Sequence, residues 1–289
     1  MLKEAVEYLD VRPGSFLIDG TFGEGGYTNA ILEKLSGSGS VIALDWSREA
    51  IERGKTKFAK EIESGKLTLE NENFANVKEV LEKLKLPKAD GLVLDLGFSS
   101  TQIEEYGRGF SFMKDEPLLM TYSDDEEPLM NVLKDLDETD MAKIIKEYGG
   151  ERFSGRIARS IVARMERKPI KTTFELVDAI SSAVPRGYER GRIHPATRTF
   201  LAFRIFINKE LQNLDSVLAS PENFLKSGGR MVVISFQSLE DGIIKRGFRN
   251  LKDLNKAEML TKKPLAVDYE ESKINPRSRS AKLRAIKIL

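Results

Sequence analysis

Carboxylates and glycines suited to ligand binding occur where two apolar segments near the start of the chain end. The first segment, FLI at 16–18, is followed by Asp19 and by the glycine-rich run GTFGEGGY at 20–27. Glycine has no Cβ and tolerates positive φ, so such a turn lets a ligand approach the backbone closely. The second segment, VIAL at 41–44, ends in Asp45. A carboxylate there can accept hydrogen bonds from both hydroxyls of a ribose.

Two further segments end in residues of the same kind. Phe74 follows the third segment, where a flat ring can stack on an adenine. Asp95 ends the fourth segment, and Gln102 lies just beyond it. Ligands of open α/β sheets bind outside the carboxyl ends of the strands, so these four positions together predict one nucleoside-binding edge.

Each position also has a purely structural interpretation. The glycine run can be a bare turn, Asp45 can cap the helix that follows it, and Phe74 can be a core residue. The run lacks the dinucleotide spacing G-x-G-x-x-G, and an acid precedes it. This combination favours a ligand without a pyrophosphate over NAD.

The elements that position these residues alternate between strands and helices. Strands are predicted at Phe16–Thr21, Val41–Trp46, Leu67–Asn73, Gly91–Gly97 and Arg230–Phe236, with late runs at Ala257–Leu265 and Lys282–Leu289 expected to pair antiparallel at the sheet edge. Helices are predicted between the first four strands, at Thr28–Leu35, Ala50–Ile62 and Val77–Leu84. Five more are predicted without any strand between them, at Leu129–Leu136, Asp140–Tyr148, Phe153–Met165, Phe174–Ala183 and Pro195–Leu218. We therefore expect a Rossmann-like α/β sheet formed by 1–105 and 212–289, with an inserted all-helical substrate-recognition domain at 106–211.

Composition restricts the function classes. The chain has 289 residues, no cysteine and one histidine, His194, which excludes disulfides, thiolate zinc sites and a histidine-rich metal centre. The 46 basic and 45 acidic residues nearly balance, so nucleic-acid binding requires local clusters, as at 152–171, 186–204 and 277–284. The first residues, MLKEAVEYLDVRPG, lack the apolar core of a signal peptide or membrane span. We expect a cytoplasmic protein without a metal or a membrane association.

Long motifs then connect the chain to a known family. Seven runs resemble the bacterial 16S ribosomal RNA (cytidine N4)-methyltransferase family. They occur in the same order as in that family and extend over nearly the whole chain. The runs are DGTFGEGGYTNAIL, LDLGFSSTQI, RGFSF, EYGGERFSGRIARSI, HPATRTFLAFRIFINKEL, GGRMVVISFQSLED and NPRSRSAKLRA. The resemblance implies S-adenosyl-L-methionine as cofactor and methyl transfer to the exocyclic amine of a decoding-region cytidine in the small ribosomal subunit. It implies cofactor contacts at Gly25, Gly26, Tyr27, Asp45, Phe74, Asp95 and Gln102.

The chain departs from the family pattern at four places. A His-x-Pro-Val segment usually precedes the first helix, and the printed sequence starts just after that point. Tyr27 and Gln237 stand where the family has His, and Leu119 and Thr121 stand where it has Asp and Arg. These differences bear on substrate positioning and on the level of activity rather than on the fold or the cofactor.

We assign Asp95 as the catalytic acceptor for the amine protons, in a pocket shaped by Ser99 and Ser100. RNA phosphate contacts are assigned to Arg108, Arg152, Arg156, Arg159 and Arg198. Arg152, Arg156 and Arg159 recur at helical spacing, although solvated ion pairs are the alternative. His194 is expected to anchor a helix entrance. The expected partner is 16S rRNA, and the expected state is a monomer or a weak homodimer.

Three other functions stay open at this point. The first is an RNA-binding ribosome-assembly factor that keeps the fold with weakened catalysis. The second is an NAD-dependent Rossmann oxidoreductase, and the third is a methyltransferase that acts on DNA or protein.

Overall fold

The chain divides into two compact units, each with its own core. The computed structural model describes residues 1–97 and 107–289, except the side chains of residues 189, 269, 274, 276 and 277. One unit, here called the sheet unit, comprises Met1–Gly97 and Leu211–Leu289, and the other, the helical unit, comprises Phe98–Glu210. The boundaries predicted from sequence lie slightly later in the chain at both points.

The sheet unit is built on one mixed sheet of eight strands. These are β1 Phe16–Asp19, β2 Ser40–Asp45, β3 Leu67–Asn71, β4 Ala89–Asp95, β5 Leu225–Ser235, β6 Ala257–Met259, β7 Leu265–Ala266 and β8 Lys282–Ile288. Their order is β3-β2-β1-β4-β5-β8-β6, with β7 paired to β8. β1 to β5 run parallel, and β8 is antiparallel to β5, β6 and β7. The strand order reverses between β1 and β4, which is the point where such sheets bind ligands.

Side chains alternate between the two faces of this sheet, as the period of a strand requires. Ile18, Ile42 and Leu92 belong to one buried cluster, and their neighbours Leu17 and Val41 belong to another. Helices cover both faces: α1 Leu2–Leu9, α2 Gly26–Leu35, α3 Arg48–Lys57, α4 Ala59–Glu63 and α5 Val77–Lys83 from the first part of the chain. The expected Rossmann-like α/β class is confirmed.

Two predicted elements of the sheet unit are each divided in the structure. The helix predicted at Ala50–Ile62 is two helices, α3 and α4, which meet at Phe58. The late run predicted at Ala257–Leu265 is likewise two short strands, β6 and β7, and both pair antiparallel with β8 as expected.

In the described part of the helical unit, residues 107–210, five helices pack around a second core. They are α6 Leu129–Asp135, α7 Glu138–Gly149, α8 Ser154–Met165, α9 Thr173–Ala183 and α10 Thr197–Ile207. The single long helix predicted at Pro195–Leu218 is wrong, because the chain turns at Lys209, where φ is 50°, before α11 Glu210–Ala219 begins. Asn208 fixes this break, since its buried amide group donates to the carbonyl oxygens of Met120 and Arg204, both at 2.8 Å.

The remaining helices, α12 Ser238–Asp253 and α13 Tyr269–Ile274, belong to the sheet unit. Among the described residues, no helix combines the length and the apolar composition that crossing a membrane requires.

Candidate functional site

Three aspartates end adjacent strands on either side of the point where the strand order reverses. Asp19 is the last residue of β1, Asp45 of β2 and Asp95 of β4, and β1 pairs with both of the other strands. Because the carboxyl ends of parallel strands meet at one edge of a sheet, the three carboxylates belong to one site. The negative charges of Asp45 and Asp95 act on Asp19.

Asp19 is fully buried and holds the glycine turn to the helix after it. Its carboxylate accepts a hydrogen bond from Thr28 Oγ1 at 2.7 Å and one from the Thr21 backbone N–H at 3.2 Å. Thr21 Oγ1 in turn accepts from the backbone N–H of Asp95 at 2.7 Å. Burial raises the pKa of Asp19 to about 6. Neither Thr21 nor Thr28 was predicted from the sequence to have a role. The signal for them was a polar side chain on each side of the glycines.

Asp45 ties the same turn to the second strand. Its two carboxylate oxygens accept from the backbone N–H groups of Gly23 at 2.7 Å and Ser47 at 2.8 Å. The alternative in which Asp45 caps the next helix is wrong, because Ser47 is the N-cap of α3 and its Oγ accepts from Ala50 N–H at 3.2 Å. Burial raises the pKa of Asp45 to about 6. Each of its oxygens keeps a second lone pair for a ligand hydroxyl.

Asp95 and Tyr27 form a pair at the end of the fourth strand. Asp95 Oδ1 accepts from Gly97 N–H at 3.0 Å, and the Tyr27 hydroxyl donates to the Asp95 carboxylate. Burial raises the pKa of Asp95 above its usual range. Burial and the negative charge of Asp95 also raise the pKa of Tyr27, so its hydroxyl stays a donor. A planar donor therefore occupies the position where the family has histidine.

The two adjacent glycines of the turn serve different purposes. Gly25 has a φ of 76°, and a Cβ added there would lie 2.5 Å from Cε2 of Phe58, so the position requires glycine for the packing of the turn itself. A Cβ added at Gly26, the first residue of α2, would meet no atom of residues 1–97 or 107–289 within 4 Å. Gly26 therefore borders open space beside the carboxylates, where a ligand can approach the backbone.

Phe74 lies at the start of the short 3-10 turn Phe74–Asn76 that follows β3. Its half-buried ring packs against the core of one sheet face, and its Cβ lies beside Gly20 at the end of β1. The structure thus places Phe74 at the same edge as the carboxylates, with part of its surface used in packing. Gln102, Ser99 and Ser100 lie outside the described residues.

The residues present fit an adenosyl sulfonium. Buried carboxylates suit a cation, Asp45 has lone pairs for ribose hydroxyls, and the space at Gly26 is open. Within residues 1–97 and 107–289, no three His, Asp or Glu side chains are grouped so that they could hold a metal ion.

Comparison with known sequences decides between the enzyme classes. The sequence profile of the MraW methylase family matches residues 1–289. The chain belongs to this family. It is 42% identical to "Ribosomal RNA small subunit methyltransferase H" of Geotalea uraniireducens, over 99% of this chain and 96% of that protein. The proteins of the same name from Clostridium botulinum and Caldicellulosiruptor saccharolyticus are 40% and 42% identical, each over 98% of this chain and 96% of theirs.

A solved structure, the fibrillarin of Aeropyrum pernix in complex with natively bound S-adenosyl-L-methionine, is similar with a TM-score of 0.44 and 9% identity. The match covers 98% of this chain and 73% of the fibrillarin chain, and a similarity this weak supports no conclusion about function. Membership of the methylase family, by contrast, confirms methyl transfer as the reaction class and S-adenosyl-L-methionine as the cofactor.

The arginines of this methylase that were predicted to contact RNA lie in the helical unit and fall into two groups. Arg152 and Arg156 are exposed, and their guanidinium carbons lie 4.7 and 5.6 Å from the centre of the Phe153 ring. Neither has an ion-pair partner among the described residues. Arg159 is exposed as well, but it pairs with Glu138 at 3.1 Å, which is the alternative that the sequence left open.

The other two arginines have partners inside the unit. Arg108 is buried, and its guanidinium donates to Thr121 O at 2.7 Å and to Asp124 at 2.7 Å. Its assignment as an RNA contact is therefore corrected, since the side chain holds its own loop together. Arg198 is half-buried and donates to the Tyr188 hydroxyl at 3.1 Å, and that hydroxyl donates to the buried Glu151.

His194 lies where the sequence placed it, at the entrance of a helix. Its Nδ1 accepts from Ala196 N–H at 3.2 Å, one residue before α10 begins, and its ring stacks on Phe112 with the centroids 4.5 Å apart. This ring therefore orients the start of α10.

Proposed function

We propose that this methylase transfers the methyl group of S-adenosyl-L-methionine to the exocyclic N4 amine of a cytidine in the decoding region of 16S ribosomal RNA. The observation that carries the rRNA assignment is an identity of 40–42% over nearly the whole chain with relatives named as small-subunit rRNA methyltransferases. The cytidine N4 target rests on the motif resemblance described above, with HPATRTF and NPRSRSAKLR as its most specific runs.

Methylation of this target depends mainly on the alignment of the amine with the methyl group. The N4 lone pair is delocalised into the cytosine ring, so the amine is a poor nucleophile, while the bound cofactor supplies a methyl group already activated by its sulfonium. Holding the amine in line with that methyl group can supply roughly 7–11 kcal/mol. The bound cofactor would supply the methyl group and keep the electron pair of the C–S bond on its sulfur, and the methylated nitrogen would have to lose a proton. A carboxylate beside the amine accepts it.

Asp95 fits the role of acceptor better than its two neighbours. Asp19 and Asp45 are both buried, and they hold the glycine turn in place through hydrogen bonds from Thr28 and Gly23. Asp95 is only partly buried, and burial raises its pKa, which makes its carboxylate a stronger base. The Tyr27 hydroxyl fixes its orientation. A Tyr27→Phe variant should therefore lower kcat more than it changes the affinity for the cofactor.

For RNA binding we assign Arg152 and Arg156 to phosphate contacts. A guanidinium that lies over an aromatic ring is held by cation–π attraction and keeps its N–H groups for a phosphate. The double variant Arg152→Ala/Arg156→Ala should weaken RNA binding and flatten its salt dependence by about 1.4–1.8 in log–log slope. The control is Arg159→Ala, because this arginine is on the same helix as Arg156 and already has an acidic partner. Equal slopes for the double variant and the wild type would discard the assignment.

The decisive experiment for the function as a whole is nucleoside mass spectrometry. Small ribosomal subunits that lack the modification are incubated with the protein and cofactor, and the rRNA is digested to nucleosides. The expected product is N4-methylcytidine from the decoding region. A methylated nucleoside of another kind or from another region overturns the cytidine target. No methylation despite cofactor and subunit binding would favour the assembly-factor alternative.

A further inference from the structure

Between Lys245 and Lys252, the exposed face of α12, in the sheet unit, carries only positive charges. Lys245, Arg246, Arg249 and Lys252 are all exposed, at positions i, i+1, i+4 and i+7. None of the four forms an ion pair with any residue in the described part of the chain. We call these four residues the α12 basic face. With 46 basic and 45 acidic residues in the chain, the face does not simply follow from a basic composition.

Elsewhere on the sheet unit, several exposed lysines have acidic partners. Lys55 pairs with Glu52 at 2.8 Å, Lys78 with Glu82 at 3.7 Å, and Lys226 with Asp90 at 2.9 Å. Lys256, three residues beyond the end of α12, pairs with Glu222. Helix neighbours of like charge repel each other, so four cations without acidic partners on one face of α12 are unfavourable for the helix itself.

The acids of α12 are engaged in the fold or lie at its end. Glu240 accepts from the backbone N–H groups of Phe236 and Gln237 in a capping box, and Asp241 accepts from Arg284 Nε at 2.7 Å. Asp253 is the last residue of the helix. The helix dipole favours cations only in the final turn, which accounts for Lys252 and leaves Lys245 and Arg246 without a structural reason.

The opposite side of α12 is packed into the protein. Ile244, Phe248 and Leu251 are almost completely buried, and Gly247 lies against Leu218 of α11. The helix therefore offers no apolar surface for insertion into a lipid layer. What it presents is a rigid row of cations about 10 Å long, because the helix rises about 1.5 Å per residue. Such a row fits the regularly spaced charges of a nucleic-acid backbone.

We propose that the α12 basic face binds backbone phosphates of the ribosomal RNA, as a contact surface on the sheet unit separate from the arginines of the helical unit. This inference rests on the proposed function, because it takes small-subunit RNA as the substrate. The face contributes electrostatic affinity for the substrate and takes no part in the methyl-transfer step.

The test compares two variants with the same change of charge. In the first, Lys245, Arg246, Arg249 and Lys252 are all replaced by Gln. In the control, four lysines of the sheet unit that have acidic partners are replaced by Gln: Lys55, Lys78, Lys83 and Lys226. Binding of small subunits that lack the modification is measured at several salt concentrations, and kcat and KM for methyl transfer are measured at one of them.

If the face binds phosphates, the first variant loses about 3 units of slope in the plot of log affinity against log salt, and its KM for the subunit rises while kcat stays constant. The control variant keeps most of the slope and of the KM. Equal slopes for wild type and the first variant, with methyl transfer intact in both, overturn the inference and leave the proposed function standing. Wild type that methylates no rRNA defeats the proposed function itself.

A parallel measurement uses vesicles that contain anionic phospholipid. Because the α12 basic face is proposed to bind RNA, the first variant and the wild type should bind such vesicles equally weakly. Wild type that sediments with the vesicles through the α12 basic face, with RNA binding unaffected in the variant, would assign the face to a membrane surface and overturn the inference.

Discussion

Replacing Asp19 by Asn should change the pH dependence of stability in a direction that its burial determines. The pKa of Asp19 is about 6 in the folded protein, against an ordinary value of 3.8. A raised folded-state pKa means that the folded protein prefers the protonated acid. Its contribution to stability is therefore fully present below about pH 4 and is lost as the pH rises through 6. A shift of about two units corresponds to about 3 kcal/mol.

The amide introduced by Asp19→Asn is neutral at every pH and keeps an oxygen that can accept from Thr28, so the variant does not lose this contribution. The difference in unfolding free energy between the wild type and Asp19→Asn should change by about 3 kcal/mol between pH about 4 and pH about 7, in favour of the variant at the higher pH. Urea unfolding followed by the fluorescence of Trp46 measures this, because Trp46 is the single tryptophan and lies in the sheet unit.

Asp253→Asn provides the control, since it makes the same substitution at an exposed position of the same unit. Its stability relative to wild type should hardly change over this pH range. If the difference for Asp19→Asn is equally flat, the buried carboxyl is not held out of its ionised state, and the argument from burial fails. The Asp19→Asn variant should also bind S-adenosylmethionine more weakly at pH about 7, because it lacks one of three negative charges at the site.

Three further predictions concern the turn, the cofactor charge and the helical unit. Gly26→Ala should keep the stability of the wild type and weaken cofactor binding in calorimetry. Gly25→Ala should lower the free energy of unfolding by about 2 kcal/mol or more, because Gly25 has a positive φ and lies beside the Phe58 ring. Two variants of equal stability would contradict this. Affinity for S-adenosylmethionine should rise as the pH passes 6 and Asp45 ionises, roughly tenfold for each unit by which the bound cation lowers the pKa of Asp45, while S-adenosylhomocysteine, which lacks the sulfonium charge, should gain less in parallel titrations. An equal gain for both ligands would exclude the charge effect. Asn208→Ala should lower the unfolding free energy of the helical unit by about 3 kcal/mol in urea denaturation, since three hydrogen bonds to buried backbone groups are lost; a loss below about 1 kcal/mol would show that water replaces them.

The strands and their ends could be predicted because two independent signals agree there. β-rich apolar runs mark the strands, and a polar residue at the carboxyl end of each run marks the edge where ligands bind. Asp19, Asp45 and Asp95 are all terminal residues of strands in the structure. The sequence could not separate a ligand-binding role for Asp45 from a cap, because Ser47 lies two residues later and either residue type caps a helix well.

The helical unit was less predictable, because its irregular parts depend on contacts between distant residues. The apolar pattern continues from α10 into α11 without interruption, and the break appears only because Asn208 bonds to Met120, 88 residues away in the chain. The burial of Arg108 could not be predicted from the sequence either. An arginine in a polar loop is usually exposed, and only the fold of residues 108–124 shows that its guanidinium is enclosed by Thr121 and Asp124.

The chemistry of the site and its cost to stability have one cause. Burial raises the pKa of Asp19 and Asp45 to about 6 and that of Asp95 above its usual range, so near neutral pH the free protein holds three carboxylates where their charge is unfavourable. Hydrogen bonds from Thr28, Gly23 and Gly97 reduce this cost without removing it. A bound cation would offset the unfavourable charge that remains, whereas the product, which lacks the sulfonium charge, would not. We therefore expect the same buried charges that destabilise this edge of the sheet to favour the sulfonium substrate over the thioether that the reaction leaves behind, and we expect this difference to assist product release.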